Sequence, residues 1–276
     1  GRLGGLEMSY SSDADVLFVH DPLSGAEERE ASEAAFAVAN ELRRLLALPG
    51  PDPALDLDAG LRPEGRQGPL VRTLTSYEAY YERWSKVWEA QALLRAVPVA
   101  GDAELGQRFL DMVDPLRYPK GGLSGADVAE VRRIKARVDS ERLPRGADPA
   151  SHLKLGRGGL GDVEWTVQLL QLRHAHQVAG LRTTQTLPAL WAAEDAELVD
   201  HDAAAALAAS WQLASRIRNA TMLVRGRPSD SLPQQQDLAG VAFLCGYDVT
   251  EASRLPDDYR RGARRAAAAV HRVFWG

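Results

Sequence analysis

Cysteine occurs once in the 276 residues, at Cys245. No disulfide can form within the chain, and a reducing compartment such as the cytoplasm is the expected setting. No apolar run approaches the roughly 18 residues that span a bilayer, and the first residues lack the basic flank and apolar stretch of a signal peptide, so no membrane segment is expected. Lysine is also scarce. Only Lys86, Lys120, Lys135 and Lys154 stand among 33 basic residues, and alanine runs at 203–206 and 266–269 accompany the arginines. That skew reads as genome base composition, which weakens arginine-rich stretches as signs of phosphate binding. Nor is there an excess of positive charge: 38 acidic against 33 basic residues leave −5, which argues against nonspecific nucleic-acid binding. An initiating methionine is missing as well. A chain that opens Gly1-Arg2-Leu3-Gly4-Gly5 is expected to be a piece of something longer.

What is present is ordinary folded protein. Hydrophobic residues make up 45% and charged residues 26%, near the globular average, and at roughly 150 residues per domain the length predicts two compact units. Residues 13–20, Asp-Ala-Asp-Val-Leu-Phe-Val-His, read as a strand entered through a polar turn at Ser11 and Ser12. A helix is expected from about Glu27 to Leu48, broken by Pro51 and Pro53. Residues 55–59 then alternate with period two, as a half-buried strand does. From Thr75 to Ala96 the pattern is helical, with Tyr77, Tyr81, Trp84 and Trp88 on one face as core packing. Val97–Val99 predicts another strand, and 102–113 another helix. Beyond Pro115 nearly everything reads as helix: 124–143, 162–178, 184–193, 202–224, 235–245 and 256–275. Strands early and helices late predict an α+β domain over 1–115 followed by an all-α bundle over 116–276.

The sharpest local signal is Gly4-Gly5 followed by Asp13-Ala14-Asp15 at the head of an apolar strand. Residues two apart on a strand share a face, so Asp13 and Asp15 present both carboxylates together, and oxygen ligands suit magnesium. Such a pair can hold two metal ions, one on a triphosphate and one near an attacking hydroxyl. Glycines ahead of it let backbone N–H groups approach phosphate oxygens. An isolated Asp-x-Asp is more often an acidic turn. What lifts this one is a third carboxylate at Asp58, or at Asp56 on the same face, in a later strand of the same domain.

Four separated segments now line up: residues 4–15, Gly-Gly-Leu-Glu-Met-Ser-Tyr-Ser-Ser-Asp-Ala-Asp; 57–65, Leu-Asp-Ala-Gly-Leu-Arg-Pro-Glu-Gly; 88–93, Trp-Glu-Ala-Gln-Ala-Leu; and Lys154 with 158–165, Gly-Gly-Leu-Gly-Asp-Val-Glu-Trp. In order and spacing they resemble the C-terminal, adenylylating half of the bifunctional glutamine synthetase adenylyltransferase family, over essentially the whole chain. The resemblance implies a polymerase-β-like nucleotidyltransferase domain, followed by a helical domain, acting with ATP and Mg2+ on a tyrosine of glutamine synthetase in the cytoplasm. A PII-type signalling protein is a further implied partner. Residue by residue, it gives Asp13, Asp15 and Asp58 the metal and catalytic roles and puts Gly4, Gly5 and Ser12 on the phosphate loop, with Glu7 in the same motif. Two departures stand out. Gly60 occupies a position where a charged residue is expected, and the strand and helix expected before the glycine loop are absent, so the first domain is N-terminally truncated. That truncation raises one alternative, a catalytically silent binding module. Uridylyl transfer to a nitrogen-signalling protein is the other.

Arg62 follows the third carboxylate and is a candidate fork for the triphosphate, with a surface ion pair as the competing role. Gln91 and Arg95 lie one helical turn apart and are candidates to face the nucleotide, though helix packing and solvent account for most such pairs. Residues 156–161, Gly-Arg-Gly-Gly-Leu-Gly, match the G-x-G-x-x-G pattern, but no acid follows Glu164 until Glu194 and the flanking elements read as helices, which excludes a dinucleotide site. Asp162 and Glu164 suit a helix N-terminus. His174 and His176 point in different directions on a helix and cannot share a metal as an i, i+4 pair does. The arginines of the C-terminal stretch sit with Asp257 and Asp258 on a solvated face.

Overall fold

The computed structural model describes residues 1–10, 12–50 and 54–276, so the turn residue Ser11 and the break at Pro51 and Pro53 lie outside the described residues. The fold is mostly helical with a few short strands. Residues 1–8 and 12–119 form one compact unit and residues 120–276 make up the body of a second. No described helix is long and apolar enough to cross a membrane.

In the first unit the stretch 13–20 forms two short strands, β1 (Ala14–Asp15) and β2 (Phe18–His20). Helix α1 (Glu28–Leu46) crosses over to β3 (Leu57–Asp58), which pairs parallel with β1. β2 pairs parallel with β4 (Val71–Thr73). Parallel partners need a connection of a dozen or more residues, and α1 supplies it. Alternation fixes the faces: Ala14, Leu57 and Ala59 are buried, while Asp15 and Asp58 are only partly so. Ala39 of α1 packs with Ala59, Leu70 and Val71.

Strand β4 has no counterpart among the elements expected from the sequence. It runs straight into α2 (Leu74–Trp84), where Thr73 caps the helix by accepting from the Ser76 N–H at 3.1 Å. The single helix expected over 75–96 is two. Ser85 is extended, and α3 (Val87–Leu93) restarts behind Lys86, whose N–H donates to Glu89 Oε2 at 2.8 Å. This one-sided cap, Glu89 accepting the Lys86 N–H, starts a new helix where no proline or glycine marks a stop. Consequently only Tyr77 and Tyr81 of the aromatic stripe are buried. Trp84 is 61% exposed, and Trp88 belongs to the next helix. Tyr77 packs edge-on against Phe109 with ring centroids 5.3 Å apart.

The strand expected at Val97–Val99 does not form. Pro98 has no N–H for a ladder, and its ring lies against Gly106, while Arg117 takes the neighbouring Ala96 carbonyl at 3.1 Å. Helix α4 (Ala103–Arg117) runs through Pro115 rather than ending before it. The proline is tolerated because it sits in the last turn, and the Tyr118 N–H still reaches Asp114 O at 2.9 Å.

The second unit is built from α5 (Gly125–Glu141), α6 (Leu160–His174), α7 (Thr186–Asp195), α8 (His201–Arg225), α9 (Gln235–Leu244) and α10 (Arg254–Val270), the last passing into a π turn at His271–Trp275. Its core joins Leu153, Leu160, Ile217, Val241, Leu255 and Tyr259. The alanine runs have a packing role that composition concealed: Ala203 and Ala204 of α8 and Ala263, Ala266 and Ala269 of α10 are buried, and small side chains let backbones come close.

Candidate functional site

In the register of β1 with β3, Asp15 stands opposite Asp58 and Ala14 opposite Leu57. Residues in register on neighbouring strands point to the same face about 4.8 Å apart, so these two carboxylates are side by side. Asp13 and Asp56, both exposed, lie just before these two strands. The ladder is held by Ala14 N–H to Asp56 O at 2.8 Å and Val16 N–H to Asp58 O at 2.9 Å. Among the described residues no three His, Cys, Asp or Glu side chains gather into a metal-ligand cluster. The structure therefore sets Asp15 opposite Asp58, and among the described residues no three-carboxylate cluster includes Asp13.

Asp58 is oriented by its own chain, since its Oδ1 accepts the Gly60 N–H at 2.7 Å. That turn begins a loop through residue 69 which Arg62 organises. Its guanidinium donates to the carbonyls of Ala59 (2.7 Å), Arg66 (3.1 Å), Gly68 (3.1 Å) and Pro69 (3.0 Å). A fork engaged with four carbonyls of one loop is acting as a clasp, which differs from the phosphate contact the sequence raised. Arg72 is also engaged locally, pairing with Glu64 and donating to Ser76 Oγ at 3.2 Å.

The glycine loop is a tight turn closed by Leu6 N–H to Leu3 O and Glu7 N–H to Arg2 O, both 3.0 Å. Its first nitrogen, of Gly1, lies 4.0 Å from Asp15 Oδ2. Gly5 is buried, and Ser12 is partly exposed. Gly4 presses on the backbone after α3: a Cβ there would sit 1.9 Å from the Arg95 carbonyl oxygen. Glu7 and Arg95, left open or assigned to packing by the sequence, form an ion pair at 3.0 Å with both side chains 7% exposed. Nothing in the local sequence marks that pair. Beside Asp15 and Gly4 opens a cavity of about 210 Å³, lined further by Leu61, Glu89, Arg95 and Phe109. It is smaller than the roughly 300–1,000 Å³ that encloses a drug-sized ligand. Burial pushes the Glu89 carboxyl above the usual carboxylate range.

The glycine-rich turn before α6 is internally complete. Gly158 N–H donates to Asp162 Oδ2 (2.7 Å), Gly159 to Gly156 O, Leu160 to Leu153 O and Gly161 to Lys154 O (each 2.9 Å). These four amides are thus engaged within the turn and the start of α6. Asp162 also accepts from buried Lys135 at 2.5 Å, and Lys135 holds Asp139 as well. Glu164 accepts the Trp211 indole N–H at 3.3 Å. His174 ends α6 and His176 lies beyond it.

Asp15 and Asp58 thus stand in register on neighbouring strands, with the glycine turn close to Asp15. The comparisons identify the class. Residues 1–112 match the family model described as glutamate-ammonia ligase adenylyltransferase, and residues 132–275 match the model described as GlnD PII-uridylyltransferase. A bifunctional glutamine synthetase adenylyltransferase/adenylyl-removing enzyme of Streptomyces coelicolor is 60% identical over 276 residues, covering 100% of this chain and 28% of the relative. Proteins of the same description from Nocardia farcinica and Mycolicibacterium smegmatis are 59% and 57% identical, over 99% and 100% of the chain and again 28% of each relative. The chain belongs to the glutamine synthetase adenylyltransferase family. It spans about 28% of the length of the curated relatives it matches.

Proposed function

We propose that this chain carries the adenylylating activity: transfer of AMP from ATP to a tyrosine of glutamine synthetase. In this reading a polymerase-β-like nucleotidyltransferase domain over 1–115 does the chemistry, and a helical domain over 116–276 accompanies it. The observation that carries the proposal is the register of Asp15 with Asp58, with Asp13 two residues before Asp15 in the chain. Relatives that match the whole chain and bear the adenylyltransferase name support adenylyl rather than uridylyl transfer. A PII-type protein is the proposed second partner, supported by the family model matched over 132–275.

The donor set fits Mg2+, because Asp13, Asp15 and Asp58 offer only carboxylate oxygens and two of them are neighbours. Bound there, the ion would neutralise charge on the phosphates. The chain's own residues do the rest. With Oδ1 tied to the Gly60 N–H, Asp58 has Oδ2 to accept the phenolic proton, help that a phenol of pKa near 10 needs at neutral pH. The phenolate oxygen bonds to the α-phosphorus, the bond from that phosphorus to the bridging oxygen breaks, and pyrophosphate leaves. Gly4, Gly5 and Ser12 line the triphosphate, and Arg62 serves indirectly by holding the loop behind Asp58. The test is AMP labelling of purified glutamine synthetase with ATP and magnesium: the Asp13→Ala, Asp15→Ala double variant is expected to label nothing, and labelling by it would overturn the proposal.

A further inference from the structure

We propose that Glu7 and Arg95 are a positioning pair that sets the glycine loop in place for the triphosphate, an assignment that rests on the nucleotidyl-transfer reading above. Arg95 holds the loop at two separate points. Its carbonyl oxygen lies so near Gly4 that a Cβ would approach to 1.9 Å, and its guanidinium meets the Glu7 carboxylate at 3.0 Å. Both contacts lie on the loop that begins beside Asp15. Between them the loop passes through Leu6, a non-glycine residue at φ +55° that is 84% exposed. Leu6 has no packing of its own to enforce that backbone, and a left-handed non-glycine persists only where its surroundings over-determine it. The closed turn from Arg2 to Glu7 and the anchored Glu7 side chain supply the determination.

The pair is buried, and a buried charge stripped of its partner is strongly unfavourable. Glu7 therefore cannot drift from Arg95 without the loop moving as a whole. The arginine also follows α3 directly, so the loop's position is referred to the helix that begins with the Lys86–Glu89 cap. Neither residue is assigned to the reacting atoms. Their effect is exerted through the backbone of Gly4 and Gly5, and displacement of a positioning element by about 1 Å is enough to change rates substantially.

The protein is compared with its Glu7→Gln and Glu7→Asp variants by ATP-dependent labelling of glutamine synthetase, hydrogen exchange of residues 5–7 and thermal unfolding. In Glu7→Gln the KM for ATP is expected to rise about tenfold, equivalent to about 1.4 kcal/mol, while kcat changes less than about threefold. The loop amides are expected to exchange about tenfold faster through local opening. Glu7→Asp, which keeps the charge, should hold both within about threefold of wild type. Unchanged loop exchange in Glu7→Gln would overturn the proposal, and so would an unchanged KM with kcat and melting temperature falling together, the mark of a purely structural pair. A wild-type protein that transfers no AMP would defeat the functional reading, while the exchange comparison, which needs no turnover, would still decide whether the pair holds the loop.

Discussion

Replacing Gly158 by alanine should damage the second unit, and the size of the effect follows from two independent features. Gly158 has φ +71°, a region that costs an L residue about 1–2 kcal/mol. The added Cβ would also sit 1.9 Å from the Ala263 carbonyl oxygen and 2.8 Å from the Ala267 nitrogen, both backbone atoms of α10. No rotamer change can relieve that, so α10 must move, at about 1–3 kcal/mol for an overpacked core. The lower entropy of the alanine-containing unfolded chain offsets about 0.4–1 kcal/mol of this, leaving a net loss of about 2–4 kcal/mol. For a unit of this size that lowers the melting temperature by roughly 4–16 °C. Gly262→Ala is the control. It lies inside α10 with open space out to 4 Å around the place a Cβ would take, so the substitution should stabilise by about 0.5–1 kcal/mol. Urea unfolding followed by circular dichroism, with hydrogen exchange of α6 and α10 locating the change, measures both. Equal stability of the Gly158→Ala protein and wild type would refute the close approach of this glycine to α10.

Other perturbations have equally definite expectations. Lys135→Met leaves Asp139 and Asp162 without the cation they share, and should lower stability by about 3 kcal/mol; adding Asp139→Asn should restore part of it, as denaturant midpoints will record. His152 is buried and its Nδ1 accepts the Leu155 N–H at 3.0 Å, with burial chiefly holding its pKa below the usual value. The unfolded chain then binds the proton more readily, so stability is present above about pH 6.5 and declines as pH falls through and below it; a His152→Asn protein should lack that slope in melting curves taken from about pH 5 to 8. Arg62→Lys, which replaces a four-carbonyl clasp by a point donor, should lower kcat for AMP transfer about tenfold or more by freeing the loop behind Asp58, with overall helicity by circular dichroism unchanged.

The buried positions Ala14, Leu57 and Ala59 were legible because strands have a fixed period of two, and the register adds that Asp15 stands opposite Asp58. Long helices were legible for the same reason at a period of about 3.6. What escaped the sequence was of two kinds. Short elements such as Val71–Thr73 offer too few residues for any period, and the helix break at Ser85 rests on a cap, Lys86 with Glu89, that lies inside an unbroken helical pattern. The second kind is long-range chemistry. Arg95 finds Glu7, Lys135 finds Asp162, and Trp211 finds Glu164 only once the chain has folded, and no local pattern distinguishes these side chains from solvated ones. Arg62 belongs here too: its fork was visible, but its acceptors are backbone carbonyls, which every residue possesses.

Arg62 also alters how the third carboxylate is understood. A basic residue soon after an aspartate invites a phosphate contact, yet here the cation gathers Ala59, Arg66, Gly68 and Pro69 into one loop. That loop starts at Gly60, whose N–H holds Asp58 Oδ1. The order of dependence therefore runs from guanidinium to loop, from loop to Gly60 N–H, and from there to the orientation of Asp58. Strand β3 is two residues long, too short for its ladder alone to orient a side chain at its end. The clasp supplies what the short ladder cannot. A charged residue at position 60 would keep its N–H, but its Cβ would lie 2.9 Å from Asp58 Oδ1 and turn the carboxylate. Glycine at position 60 therefore keeps the Asp58 carboxylate in the one orientation that the Gly60 N–H and the clasped loop define.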